Sequence, residues 1–165
     1  MSFQSTVRFV LAAGIVGELI FDGPNRAEPN ALYSPDPTMN VIGRAFTALA
    51  GIDGQVEAGG LGVFAGILVN PLVYATAGGA AGALSPTLVL PNYGEASFLK
   101  MGTIIVELTT AANIGDDVHF VIADGTLLAV PAGTAPAVGH AVVPNAKVVR
   151  ENIPSAGLAF IQLTN

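Results

Sequence analysis

The chain has 165 residues, a net charge of −6 and no cysteine. This length predicts one domain. The charge argues against nucleic acid as a partner, because phosphate binding requires clustered basic residues and the chain has only six lysines and arginines. The absence of cysteine excludes disulfides, thiolate metal sites and cysteine nucleophiles.

The composition is unusually apolar for a soluble protein. Hydrophobic residues make up 52% of the chain and charged residues 11%, whereas about 25% of the residues of an ordinary domain are charged. Large exposed apolar patches usually mark interaction surfaces, so we infer that other subunits or a lattice cover much of this surface. No membrane is expected as a partner. The stretch 58–94 carries no charge, but its prolines and glycines leave no uninterrupted apolar segment of about 18 residues, the length of a spanning helix.

The first 45 residues predict an extended N-terminal arm that is rich in proline and glycine. Prolines occupy positions 24, 29, 35 and 37. Because proline fixes φ and removes an amide donor, this pattern is interpreted as excluding a helix and a central strand. The segment also carries Leu19, Ile20 and Phe21, which makes it too apolar for simple disorder. We expect the arm to lie on another subunit; a long surface loop is the alternative.

Charged residues of the arm give a candidate interface. Arginine is suited to bidentate pairing with carboxylates at interfaces, although ordinary solvated side chains would give the same pattern. Together with neighbouring apolar and turn residues, the candidate contact residues for a capsid or subunit interface are Phe21, Asp22, Pro24, Arg26, Glu28, Leu32, Tyr33 and Arg44.

Residues 46–165 predict a β domain. Short apolar runs separated by turn residues predict strands over 45–49, 55–58, 63–69, 87–90, 141–143, 147–151 and 158–163. The low-complexity stretch 77–83 is interpreted as a loop, because its glycines make a helix costly. The absence of a convincing amphipathic helix makes the fold class all-β, a small antiparallel β-barrel or sandwich preceded by the arm.

The stretch 98–130 is expected to be the centre of this domain. Residues 102–108 alternate in a period of two, which predicts a half-buried strand, and the pattern resumes at Asp117. Asp124-Gly125 predicts a two-residue hairpin turn, followed by a return strand over 126–130.

The sequence shows no constellation of catalytic, cofactor-binding or metal-binding residues. His119 lies near Asp117, but no second ligand has metal-binding spacing, so an exposed strand histidine is the favoured interpretation. The glycines at 59, 60 and 62 are not followed by the Lys-Ser/Thr pair of a phosphate-binding loop. We therefore expect a protein that is not an enzyme and needs no cofactor.

Two parts of the chain resemble a known family. The N-terminal string GIVGELIFDGPNRAEPNAL and the following NVIGRAFT, with the C-terminal strings LVLPNYGEASFLKMGTIIVELTTAANIGDDVHF and AKVVRENIPSAGLAFIQLTN, are similar to structural cement (capsid decoration) proteins of tailed bacteriophages. The resemblance implies a protein made in the host bacterial cytoplasm that binds the outer surface of the virion capsid. It would bridge neighbouring subunits of the major capsid protein, as a homodimer or homotrimer.

Two other classes stay open at this stage. Another virion component, such as a tail or fibre binding module, would also be all-β, but binding loops of that kind favour tyrosine and tryptophan, and the chain has three Tyr and no Trp. A small oligomeric β-barrel hydrolase would need carboxylates positioned with arginine or serine contacts to phosphate, and strings of that kind are not found.

Overall fold

The computed structural model describes residues 14–70 and 89–164. These residues form ten strands and one short 3-10 helix, Pro37–Met39, and no α-helix. The strands are β1 (Leu19–Ile20), β2 (Arg26–Leu32), β3 (Ala45–Ala48), β4 (Gln55–Ala58), β5 (Phe64–Leu68), β6 (Glu95–Leu108), β7 (Asp117–Val121), β8 (Leu127–Val130), β9 (His140–Val149) and β10 (Gly157–Leu163). The all-β fold class is confirmed.

The 14-residue strand β6 belongs to two closed circuits of strands. Its C-terminal half pairs with β10 on one edge and meets β8 at Leu108 on the other, and β7 and β9 complete the circuit. Its N-terminal half pairs with β2 and β5, and the circuit is completed by β4 and β3. We call these circuits the C-terminal barrel and the N-terminal barrel. All pairings are antiparallel except β2–β4 and β6–β8.

Each barrel has its own apolar interior. Phe46 and Phe98 are fully buried in the N-terminal barrel, and their rings pack with centroids 5.1 Å apart. Ile104, Val106 and Leu108 of β6 are fully buried in the other cluster, which fills the C-terminal barrel. Burying one such side chain stabilises the fold by about 1.5–3 kcal/mol. The same strand therefore supplies side chains to both cores.

Gly102 lies where β6 passes from one barrel to the other. Its φ of 128° is one that side chains with a Cβ rarely adopt. A Cβ here would also collide with the side chain of Asn25, which lies in the turn between β1 and β2. The strand can continue through this crossing point because the residue is glycine.

The two barrels also touch through backbone, at the tip of the β7–β8 hairpin. The amide of Gly60 donates to the carbonyl of Ile122 (2.8 Å), and the amide of Ala45 donates to the carbonyl of Gly125 (2.9 Å). A Cβ at Gly59 would meet the carbonyl of Ile122. Gly59 and Gly60, from the glycine-rich string that lacks a phosphate-loop Lys-Ser/Thr pair, instead permit close contact between the barrels.

The exclusion of a central strand from the first 45 residues was wrong for Arg26–Leu32. Strand β2 lies between β6 and β4, with Pro29 opposite Ser97. The amide of Leu32 points to β6, whereas the amides of Ala31 and Tyr33 point to β4. This alternation directs the nitrogen of Pro29 to the β4 side, where pairing with β4 begins only at Ala31. The missing donor therefore costs no ladder hydrogen bond.

Only part of the arm can be compared with the structure. Residues 1–13 lie outside the described residues, so an extended arm as a separate unit stays a prediction there. The spacer 77–83 and the first two residues of the strand expected over 87–90 also lie outside them. Val89, which is described, forms an isolated bridge with Val41.

The central stretch differs from its expected form in two ways. Residues 102–106 of β6 are buried on both faces instead of one, because β6 lies inside a double barrel. The β7–β8 hairpin exists, but its turn is longer than two residues, since the amide of Val121 bonds to the carbonyl of Thr126 (2.9 Å). The segments expected over 141–143 and 147–151 are largely one strand, β9, with an irregularity between its pairings to Asp117 and His119.

We predict that Phe98→Ala destabilises the protein by about 3–5 kcal/mol, because it leaves a cavity against Phe46 at the centre of the N-terminal barrel. Chemical denaturation followed by circular dichroism measures the change. Phe21→Ala is the matched control, since Phe21 is 86% exposed and should change stability by less than about 0.5 kcal/mol. Equal effects of the two substitutions would contradict the assignment of the core.

Candidate interaction surface

The turn between β1 and β2 projects Phe21, Asp22 and Pro24 into solvent. Asp22 accepts a hydrogen bond from Nη2 of Arg150 at 2.7 Å. This hydrogen bond is the main reason why the pKa of Asp22 lies below its usual value. The guanidinium of Arg150 also lies 5.0 Å from the centre of the Phe160 ring, in cation–π geometry. The turn is thereby tied to the end of β9 and to β10, and Phe21 stays exposed.

Arg26 and Glu28 form a second charged group on β2 with Lys100 of β6. Nζ of Lys100 lies 2.5 Å from Oε2 of Glu28, and Nε of Arg26 lies 3.8 Å from Oε1. The hydrogen bond from Lys100 is the main reason why the pKa of Glu28 lies below its usual value. These ion pairs are solvent-exposed, and such pairs contribute little to stability. They neutralise charge along the β2–β6 pair.

Arg44 lies in a cleft of about 210 Å³ between the two barrels. Its Nη1 donates to the backbone carbonyl of Asp124 at 3.2 Å and lies 4.0 Å from the carboxylate of the same residue. The floor of the cleft includes Val16, Ile42 and Leu127. Arg44 therefore contributes to the contact between the N-terminal barrel and the β7–β8 hairpin.

The remaining two candidates, Leu32 and Tyr33, have opposite environments. Leu32 is fully buried in the core of the N-terminal barrel, so its side chain does not face a partner. Tyr33 is exposed, and its ring lies 5.4 Å from that of Tyr93. Alternation along β2 explains the difference, because neighbouring residues of a strand face opposite sides of the sheet.

The candidate residues thus do not form one patch. They occupy the β1–β2 turn, both ends of β2 and the cleft between the barrels. Sequence reasoning missed their partners Tyr93, Lys100, Asp124 and Arg150, which follow them by about 60 to 130 positions in the chain. Tyr93 and Asp124 carried a local signal, because each lies in a turn motif, Asn92-Tyr93-Gly94 or Asp124-Gly125, next to a predicted strand.

The expectation that His119 is an exposed strand histidine was wrong. Only 2% of His119 is exposed. Oδ2 of Asp117, two residues before His119 on β7, accepts a hydrogen bond from the amide of Gly133 (2.7 Å). Burial lowers the pKa of His119, nearby Asp117 opposes this shift, and His140 on β9 adds to it. The described residues contain no group of His, Cys, Asp and Glu that could hold a metal ion.

Within residues 14–70 and 89–164, no helix is long and apolar enough to cross a membrane. The fold class of the described residues is all-β.

The chain belongs to the phage structural cement family. A family profile described as structural cement protein (E217 gp24/Pam3 gp6) matches residues 3–164. A comparison with curated proteins finds no match. Among solved structures, a chain of the capsid of Myoviridae phage XM1 has the same fold, with a TM-score of 0.63 and 17% identity over 100% of this chain and 99% of that chain. Family membership gives the protein a structural, capsid-stabilising role in the virion and indicates that this role is non-enzymatic.

Acidification is predicted to destabilise the protein through His119. Because its pKa is lower in the folded state, the unfolded chain binds the proton more readily once the pH falls below about 6.5. Stability should therefore fall from about pH 7 to about pH 5.5, with a slope of at most about 1.4 kcal/mol per pH unit. The lowered pKa values of Asp22, Glu28 and Asp117 keep these carboxylates ionised over that window.

Urea denaturation at several pH values measures this dependence. The variant His119→Gln has no proton to bind at this position, so its stability should change less over the same window. An unchanged slope in the variant would contradict the assignment to His119.

Proposed function

We propose that this cement protein binds the outer surface of the assembled capsid, bridges neighbouring subunits of the major capsid protein and acts as a homo-oligomer. The family match over nearly the whole chain carries the proposal. By mass action, a protein that binds only the assembled shell stabilises it by an amount that grows with concentration relative to Kd. No chemical step is needed.

Bridging requires at least two contact surfaces, and exposed apolar side chains occur on loops of both barrels. Leu61 and Val63 are 85% and 80% exposed on the loop between β4 and β5 of the N-terminal barrel. Val138 and Ile114 are exposed on loops of the C-terminal barrel. Phe21 and Pro24 project from the turn between them and stay in the proposed interface. Exposed apolar side chains at separate positions are suited to contact with more than one neighbour.

The position in the virion is tested by counting copies in purified particles of the source phage by quantitative mass spectrometry. We expect a simple ratio to the major capsid protein. A handful of copies per particle would instead indicate a tail or portal component and would contradict the proposal.

We predict that shells assembled without this protein lose integrity at a lower temperature than complete shells. Adding the purified protein should raise that temperature to the value of complete shells. The reason is that binding energy is available only to the assembled state. Light scattering and dye access to packaged DNA during heating measure the transition. Equal transition temperatures at saturating protein would contradict a capsid-stabilising role for the bound protein.

The free protein is predicted to be an oligomer at micromolar concentration, because 52% of its residues are hydrophobic and 11% are charged. Multi-angle light scattering after size-exclusion chromatography gives the mass directly. The expected result is a dimer or trimer of the 16.6 kDa chain. A monomer under these conditions would contradict self-association before binding, although not capsid binding itself.

A further inference from the structure

The outward face of the N-terminal barrel carries a pair of tyrosines just beyond the last regular pair of the β2–β6 ladder. Ala31 of β2 pairs with Glu95 of β6, and Pro29 pairs with Ser97. Two positions beyond Ala31 and Glu95 lie Tyr33 and Tyr93, whose rings are 5.4 Å apart. Tyr93 is 72% exposed and Tyr33 is 36% exposed. The two rings therefore lie together at this end of the β2–β6 pair.

A buried polar network holds this aromatic pair in place. The side chain of Asn92 accepts from the amide of Ser34 (3.0 Å) and donates to the carbonyl of the same residue (2.9 Å). Asn40, which is fully buried, donates to Asn92 (2.8 Å) and accepts from the hydroxyl of Ser34 (2.6 Å). Both tyrosines adjoin residues of this network, so their backbones are fixed before any partner binds.

Tyr93 also has a backbone conformation that is unusual for its type. Its φ is 64°, in the left-handed region that bulky residues rarely adopt. Such a conformation costs about 1–3 kcal/mol and persists only where the surrounding structure enforces it. Here the amide of Tyr93 donates to the carbonyl of Leu32 at 2.7 Å. The strained turn presents an aromatic ring to solvent instead of to the core.

The charges on this face are all negative. Glu95 is exposed, and Glu57 lies on the same face, since Gln55 of β4 pairs with Ala31 and strand alternation places residue 57 beside Tyr33. Neither carboxylate has an ion pair with another described residue. The described cations instead pair within the chain: Arg26 and Lys100 with Glu28, Arg44 with Asp124, Lys147 with Asp117, and Arg150 with Asp22.

We propose that the face around Tyr33, Tyr93 and Glu95 docks a basic segment of a different protein. An arginine or lysine of that segment stacks on the tyrosine pair and forms an ion pair with Glu95. A second copy of the chain fits less well, because the cations of its described residues already lie near carboxylates of their own chain. This inference rests on the proposed function in one respect: the proposed function identifies the protein that carries the basic segment as a subunit of the capsid lattice.

The test measures how much protein binds to purified shells that lack it, by quantitative gel densitometry over a range of protein concentrations. Tyr93→Asn removes the ring, and asparagine tolerates the left-handed backbone conformation. Glu95→Lys reverses the charge on the face. Glu151→Lys is the matched control, since this carboxylate follows β9 in the C-terminal barrel and also has no ion pair with a described residue. Unchanged thermal melting shows that each variant is folded.

We expect Tyr93→Asn and Glu95→Lys each to weaken binding at least tenfold, and Glu151→Lys to bind within twofold of the wild type. Added salt should weaken the wild type more than Glu95→Gln, because an ion pair with the partner is screened. Wild-type affinity in both face variants, or tighter binding by Glu95→Lys, would overturn the proposal and leave capsid binding intact.

Two further outcomes separate the alternatives. If Tyr93→Asn changes the oligomeric mass of the free protein, the face is a contact between copies and the proposal is wrong. If the wild-type protein fails to bind any shell, the proposed function fails as well, and this result differs from a failure confined to the variants.

Discussion

The whole fold depends on the hydrogen bonding of β6. Its N-terminal half pairs with β2 and β5, and its C-terminal half pairs with β10 on one edge and with β1 and then β8 on the other. A strand with partners on both edges leaves few backbone groups unpaired. Since Phe98 and Ile104 are buried in different clusters, one strand also connects the two cores. A disturbance of β6 would therefore affect both barrels at once.

Closure of the two circuits affects how this cement protein can bind. An open sheet offers its edge strand to a neighbour through main-chain hydrogen bonds, whereas a closed barrel removes that edge. Contacts with a lattice then depend on side chains and loops. The exposed apolar residues of the described chain lie mainly on turns, as Phe21, Leu61 and Val138 do. Tyr93, an aromatic side chain that a turn exposes to solvent, is a residue of this kind.

The sequence predicted local features of the fold well and non-local features poorly. Alternation and turn residues located β4 at 55–58 and placed β5 and β10 within one residue at each end, because these signals act over a few positions. The same alternation made β6 appear half-buried, since burial of its second face comes from strands far away in the chain. Pro29 shows the same limit: the rule about proline is correct, but only the register decides whether the missing amide was needed.

The candidate surface was predictable only in part, for a related physical reason. Arg26 could be named from the sequence because its charge favours the surface and ion pairs, and Phe21 because it adjoins the turn residues Asp22-Gly23-Pro24. Their partners Arg150 and Lys100 depend on which strands close the barrels, and that pairing has no local signal. Leu32 and Tyr33 illustrate the consequence most directly. They are adjacent in the chain, yet closure of the N-terminal barrel buries the first in its core and stacks the second against Tyr93 on the face that we propose contacts the capsid.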